Sequence, residues 1–184
     1  MSRYIALIRG INVGGKNKVS MPELKTRFEK AGFQDVITYI NSGNIFFSAS
    51  DNNAFVDLVQ IIETVLRMDF NVITRVAVVP VSELHKALAH APTWWDQDPD
   101  SKHNAIFVIA PTTAAEVMKT VGEAKPEYES VESYGHVIFW SAPLKTFSRT
   151  RWSKIVGTAA YNSVTTRNAN TFKKLVELSN DSAL

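Results

Sequence analysis

Cysteine is absent from the 184 residues, which excludes disulfides, thiolate metal sites and a cysteine nucleophile and is compatible with a reducing compartment. No apolar run approaches the roughly 18 residues that a membrane-spanning helix needs, so no membrane partner is expected. The opening residues, Met1-Ser2-Arg3-Tyr4-Ile5, run straight into a strand-like segment. They contain no extended apolar region and no small-residue cleavage site, so no signal peptide is expected and the cytoplasm is the expected location. Acid is also missing from particular places. Residues 1–22 hold Arg3, Arg9, Lys16 and Lys18 without one Asp or Glu. Residues 133–176 hold Lys145, Arg149, Arg151, Lys154, Arg167, Lys173 and Lys174, again without one. All acids except Glu177 and Asp181 lie in residues 23–132. A net charge of +2 conceals this asymmetry. Two basic ends around an acidic middle raise the question of an anionic partner; the alternative is that these charges spread over unrelated faces.

Hydrophobic residues make up 45% of the chain and charged residues 21%, the composition of a globular rather than a disordered protein. The length fits one domain or two small lobes. Ser2–Arg9 reads as a strand, followed by the loop Gly10–Val19. Ser20-Met21-Pro22-Glu23 is a capping-box pattern with proline in the first turn and starts a helix. Met21, Leu24, Phe28 and Ala31 form its apolar face, and Gly32 ends it. Asp35–Asn41 and Asn44–Ser48 are β-rich runs joined by Ser42-Gly43, a hairpin signature. A second helix is expected from about Asn52 to Met68, capped by Ser50 or Asp51, then a strand over Val72–Val79 that Pro80 stops, then a short helix over Ser82–Ala89. The turn-rich stretch Ala91–His103 reads as a linker. Beyond it the pattern restarts, with strand Asn104–Ile109, helix Thr112–Glu123, strands Tyr128–Ser133 and His136–Trp140, and a mostly helical Leu144–Val156. Asn170 or Thr171 is expected to cap a last helix reaching about Leu178. The expected fold is therefore α+β, two tandem ferredoxin-like β-α-β-β-α lobes (1–90 and 104–184) with a C-terminal helix, forming one compact unit.

Four segments contain residues suited to binding chemistry. Arg9-Gly10-Ile11-Asn12-Val13-Gly14-Gly15-Lys16-Asn17-Lys18 matches most of a P-loop. Position 17, however, is Asn where a magnesium-ligating hydroxyl is needed, and the helix starts at Ser20 rather than at the lysine. A looser reading has the glycines open backbone N–H groups to an anion, with Lys16 and Lys18 adding charge; the alternative is that they only make turns. In Ser148–Lys154, Arg151 and Lys154 fall on one helical face and Arg149 on another. Guanidinium groups there can grip a phosphate or carboxylate, or the run is a solvated face with Trp152 and Ile155 inward. Ser163–Thr171 is a polar turn before the last helix, where Arg167, Asn168, Asn170 and Thr171 can hold an anion or simply cap. Asn41-Ser42-Gly43-Asn44 is a hairpin tip; turn chemistry is the favoured reading, and ligand contact by Ser42 and Asn44 the other. The histidines lack metal-ligand spacing, so no metal site and no cofactor are expected. Asp96, Asp98 and Asp100 lack the glycine and glutamate of a calcium loop. Trp94 and Trp95 read as packing residues between the lobes.

Tyr4–Lys18 (YIALIRGINVGGKNK), Met21-Pro22-Glu23-Leu24, Tyr39–Phe47 (YINSGNIFF) and Thr165–Thr171 (TTRNANT) together resemble the bacterial domain-of-unknown-function family 1697. The resemblance spans nearly the whole chain and implies a compact α+β protein of ferredoxin-like character. It brings no established activity. It does place Arg9, Asn12, Gly14, Gly15, Ser42, Asn44, Arg167, Asn168 and Thr171 in shared motifs, and it suggests that the glycine loop and the polar C-terminal turn belong to one design. Ala169 departs from the family pattern, which has an aromatic residue there.

The leading expectation is a binding or regulatory protein for a phosphate-bearing anion, a nucleotide or nucleic acid. The glycine loop, the hairpin tip and the basic C-terminal segment are expected to converge on it. The alternatives are an enzyme acting on a small phosphorylated or acidic metabolite, for which the basic segments offer no acid–base pair, and an interaction scaffold or homodimer with a basic face.

Overall fold

The structure is a computed structural model and describes residues 1–180. Two compact units divide the chain, Met1–Leu84 with the stretch from Glu177, and His85–Val176. Unit 1 runs β1 (Ser2–Ile8), α1 (Met21–Lys30), β2 (Gln34–Tyr39), β3 (Asn44–Ala49), α2 (Phe55–Phe70) and β4 (Val76–Pro80). Its antiparallel sheet has the order β2-β3-β1-β4. A helix, α3 (Val81–Ala89), precedes the second sheet. Unit 2 runs β5 (Ser101–Val108), α4 (Ala114–Val121), β6 (Ser130–Tyr134), β7 (Val137–Pro143) and β8 (Val164–Asn168), with sheet order β6-β7-β5-β8, and leads into α5 (Ala169–Asn180). The two orders are the same when each lobe is counted from its own first strand. The chain is thus an α+β protein of two tandem ferredoxin-like lobes.

Apolar periodicity explains the helices. Met21, Leu24 and Phe28 of α1 and Leu58, Ile62 and Leu66 of α2 are buried. They pack with Ala6, Ile8, Ile45 and Phe47 on one face of sheet 1. Side chains alternate along a strand, so Ile5, Leu7 and Phe46 lie on the opposite face, and they too are fully buried. In unit 2, Ala114, Val117 and Val121 of α4 meet Ile106, Val108, Ile138 and Trp140. On the other face, Phe172 packs edge-on to Phe107, and Trp95 packs edge-on to Phe139. Trp95 also donates its indole N–H to the Asn104 carbonyl at 2.9 Å. Among the described residues, no helix is long and apolar enough to cross a membrane.

Several boundaries differ from the sequence reading, each for a physical reason. Helix α2 begins after Ala54 with no side-chain cap; Ser50 instead closes a turn, its hydroxyl accepting from the Asn52 N–H. Strand β4 starts at Val76, because Asn71 in the left-handed region ends α2 and four irregular residues follow. Strand β5 starts at Ser101, inside the expected linker, where Ser101 and Lys102 pair with Pro143 and Ala142.

The largest difference lies between Leu144 and Asn168. The expected helix over Leu144–Val156 is two 3-10 segments, Leu144–Arg149 and Trp152–Gly157, and a third, Ala159–Ser163, follows it. Hydroxyl groups close these turns at i to i−3. Thr150 Oγ1 donates to the Phe147 carbonyl (2.7 Å), Ser153 Oγ to Thr150 O (3.2 Å) and Thr158 Oγ1 to Ile155 O (2.8 Å). Ser and Thr that compete for backbone partners disfavour the α-helix. The expected polar turn after them is strand β8, in which Ala105 faces Arg167. Its β-branched Val164-Thr165-Thr166 is the local cause. Asn168, rather than Asn170 or Thr171, caps α5, its Oδ1 accepting the Thr171 N–H at 2.8 Å.

Candidate anion-binding site

The loop after β1 is a miniature hairpin. The Asn12 N–H donates to Asn17 O and the Lys16 N–H to Val13 O, both at 3.0 Å. Gly14 and Gly15 take positive φ (58° and 75°), as both central residues of a type I′ turn must. The Lys16 amide is thereby used inside the loop rather than offered to a phosphate. What the loop does expose is charge. Lys16 and Lys18 stand in solvent, and among the described residues neither pairs with a carboxylate.

Asn12 holds this hairpin in place. Its amide Nδ2 donates to Val19 O (3.0 Å) and Asn41 O (2.8 Å), and its Oδ1 accepts the Val19 N–H (2.8 Å). The glycine loop, the start of α1 and the β2–β3 turn are therefore tied together within unit 1. Gly43 makes that approach possible, since a Cβ there would lie 2.8 Å from Ile11 Cδ1 and 2.9 Å from Ile8 Cβ. Between these elements lies a hollow of about 440 Å³ lined by Asn12, Gly15, Lys18, Ser20, Pro22 and Asn41, with Val19 and Met21. No Asp or Glu lines it. Ser20 caps α1, accepting the Glu23 N–H at 3.4 Å. Lys18 closes the glycine-loop motif, Ser20 starts α1 and Asn41 opens the hairpin tip, and only the fold brings the three to one hollow.

The other unit 1 candidates play supporting parts. Asn44 is fully buried and donates to Tyr39 O (3.0 Å) and Ser42 Oγ (3.1 Å), so both side chains shape the turn. Arg9 is half-buried. Its N–H donates to Arg75 O at 3.1 Å, and its carbonyl accepts from Thr74 Oγ1 at 2.6 Å.

In unit 2, Arg149, Arg151 and Lys154 are exposed on the 3-10 segments, as is Lys145. An acid does stand beside them. Glu129 lies just outside the acid-free stretch and is 5% exposed. Its Oε1 accepts the N–H groups of Lys125 (3.0 Å) and Arg151 (2.8 Å). Its Oε2 accepts the N–H of Trp152 (3.1 Å) and the indole N–H of Trp140 (3.2 Å). This carboxylate binds three backbone N–H groups and one indole, and no guanidinium. Nothing local in the sequence marks Glu129 for that role, because its donors lie as far as 23 residues away.

Arg167 is buried in β8, 7% exposed, with Nη1 donating to Thr165 Oγ1 and Thr166 O, each at 2.9 Å. Burial pulls its pKa down to about 10, which still leaves it cationic at neutral pH. Asn168 and Thr171 serve the α5 cap, and Asn170 is exposed in its first turn. Ala169 is buried. A second hollow, of about 370 Å³, sits at the corresponding β–α corner of unit 2 and is lined by Pro111, Thr112, Glu116, Thr120, Ala160 and Ser163 among others, with no Lys or Arg. Among the described residues, no group of three His, Asp or Glu side chains is placed to hold a metal.

Comparison with known proteins bears on this site. The family described as "Protein of unknown function (DUF1697)" matches residues 1–139. That span contains the whole unit 1 corner and ends before the 3-10 segments. Among solved structures, a conserved bacterial protein from Streptococcus pneumoniae is similar with a TM-score of 0.85 and 32% sequence identity, over 96% of this chain and 98% of that one. A search of curated proteins finds no match.

Proposed function

The chain belongs to the DUF1697 family of proteins of unknown function, and from that premise we propose that it is a cytoplasmic binding protein for a phosphate-bearing small molecule, held at the β1–α1 corner of unit 1. One observation carries the reading: the hollow there is lined by Lys18, Gly15 and the first turn of α1 and by no carboxylate, with Lys16 exposed next to Gly15. The positive end of the α1 dipole favours an anion, and exposed lysines that have no acid to pair with keep their full attraction for phosphate. The Asn12 clamp fixes the loop before any ligand arrives, so little ordering cost is left for binding.

The test is calorimetric titration of the full chain with inorganic pyrophosphate and with ATP, alongside the variant Lys16→Glu/Lys18→Glu. Binding that weakens with added salt, and that falls about tenfold or more in the variant, is the expected outcome, since one charge-assisted contact contributes about 1.5–3 kcal/mol. Absence of binding to either probe, or equal affinity in the variant, overturns the proposal.

A further inference from the structure

The exposed cations of unit 2 form a ridge on the 3-10 segments. Lys145, Arg149, Arg151 and Lys154 all face solvent, and among the described residues none of them pairs with a carboxylate. Loose surface charge is common, but this ridge is built differently. Its backbone is pinned by the buried Glu129 through the N–H groups of Arg151 and Trp152, and by hydroxyl bonds from Thr150, Ser153 and Thr158. Trp152 anchors it from below at 1% exposure, donating its indole N–H to Gly122 O at 3.2 Å. The buried Glu129 carboxylate therefore fixes the turn that carries Arg151 and makes no ion pair with its guanidinium. For stability alone, a carboxylate beside arginines would serve as well in a side-chain ion pair. The arrangement here holds the backbone that carries Arg151 in place and leaves its side chain exposed.

Aromatic rings underlie the charges. The Arg149 guanidinium lies over the Tyr128 ring at 5.8 Å, and Lys102, exposed on β5, puts its ammonium 4.5 Å from the Phe147 ring centroid. Lys125 adds another amine, donating to Arg149 O at 3.1 Å. A phosphate chain matches a series of cations, and the Arg149 guanidinium backed by the Tyr128 ring suits a base, which presents a flat face where a carboxylate side chain does not. The open-sheet platform that many four-stranded RNA binders use is not available here, because Phe46 on sheet 1 and Phe107 on sheet 2 are buried. We infer that the 3-10 ridge of unit 2 binds the backbone of a single-stranded nucleic acid, with no sequence preference. This inference does not rest on the unit 1 corner and stands or falls separately from it.

The experiment is fluorescence anisotropy of a labelled 12-nucleotide oligo(U) with the full chain between 50 and 200 mM KCl, with polyglutamate of equal charge as competitor. Four neutralised phosphates predict a log–log salt slope near −3 for a single strand. The variant Arg149→Ala/Arg151→Ala keeps the Arg151 backbone N–H that meets Glu129, and it is expected to weaken binding at least tenfold and to flatten the slope. Lys154→Glu is a second, single-site variant on the exposed face and should weaken binding in the same direction. Lys16→Glu/Lys18→Glu should leave oligo(U) affinity within about twofold, whether or not that variant loses pyrophosphate. The inference is overturned if oligo(U) does not bind, if polyglutamate competes as well as unlabelled oligo(U), or if the corner variant and not the ridge variants abolishes binding.

Discussion

The two lobes share one strand order and build it by different means. In unit 1 the crossover from the third strand to the fourth is α2, a 16-residue helix with the apolar stripe Leu58, Ile62 and Leu66. In unit 2 the same crossover is three 3-10 segments, closed by hydroxyls and hung on one buried carboxylate. A helix satisfies its own backbone and asks the core only for apolar packing. The 3-10 chain leaves N–H groups over, and Glu129 takes several of them. The β–α corners contrast as well. That of unit 1 is lined by a lysine and no acid, and that of unit 2 by Glu116 and no base. Duplicated topology thus constrains where the chain runs, while polar chemistry at equivalent corners is free to diverge, because strand pairing is set by backbone and by apolar alternation.

The sharpest way to break the crossover contrast is Glu129→Ala. It strands the buried donors of Trp140 and Trp152 and the part-buried ones of Lys125 and Arg151, and is expected to cost roughly 3 kcal/mol or more, since each unmet buried donor costs about 1–3 kcal/mol. Urea unfolding checks this, and a loss below about 1 kcal/mol would show that the carboxylate does not hold the ridge. Next is the unit 1 corner. Gly43→Ala meets both the left-handed φ of +85° and the side chains of Ile8 and Ile11, and should cost about 2–4 kcal/mol. Gly14→Ala has a φ of +58° with open space around it and should cost about 1 kcal/mol from strain alone. Equal losses at the two positions would refute the tight approach at Gly43. The smallest effect concerns the unit 2 corner. Backbone and side-chain hydrogen bonds from Thr113 hold the Glu116 carboxyl below its ordinary value of 4.5. A depressed acid contributes stability above its unfolded pKa and loses it as pH falls through the folded value. The melting temperature should therefore drop more steeply below pH 4.5 in the native chain than in Glu116→Gln. Parallel curves would remove Glu116 from the acid response. In unit 1 the Glu23 carboxylate turns to Arg27 at 3.8 Å instead of back to the cap.

Much of this was legible in the residues. Alternating and 3.6-periodic apolar patterns mark β1, α1, β3, α2, β5 and α4, and the repeat of the β-α-β-β order reveals the two lobes. The Gly14-Gly15 turn and the Ser20 cap follow from local chemistry. The acid-free stretches show where cations go unneutralised along the chain. The part that could not be read is instructive in its causes. Leu144–Val156 has enough apolar residues for a helix, yet Thr150, Ser153 and Thr158 tighten it to 3-10. Val164–Asn168 looks like a polar turn, yet its β-branched residues complete a sheet by pairing with a strand far away in the chain, Ala105 with Arg167 and Asn104 with Asn168.

What the sequence determined by itself is the class of the fold, the turns that need glycine, and the two basic segments, because these depend on neighbours within a few residues. What only the tertiary structure decided is the use of those segments. Asn12 meets Asn41 across 29 residues and Glu129 meets Trp152 across 23, and no local pattern encodes such meetings. Hydrogen bonds at that separation form only after the apolar core has brought the strands together, so the polar partners of the basic residues are a consequence of packing rather than of any motif.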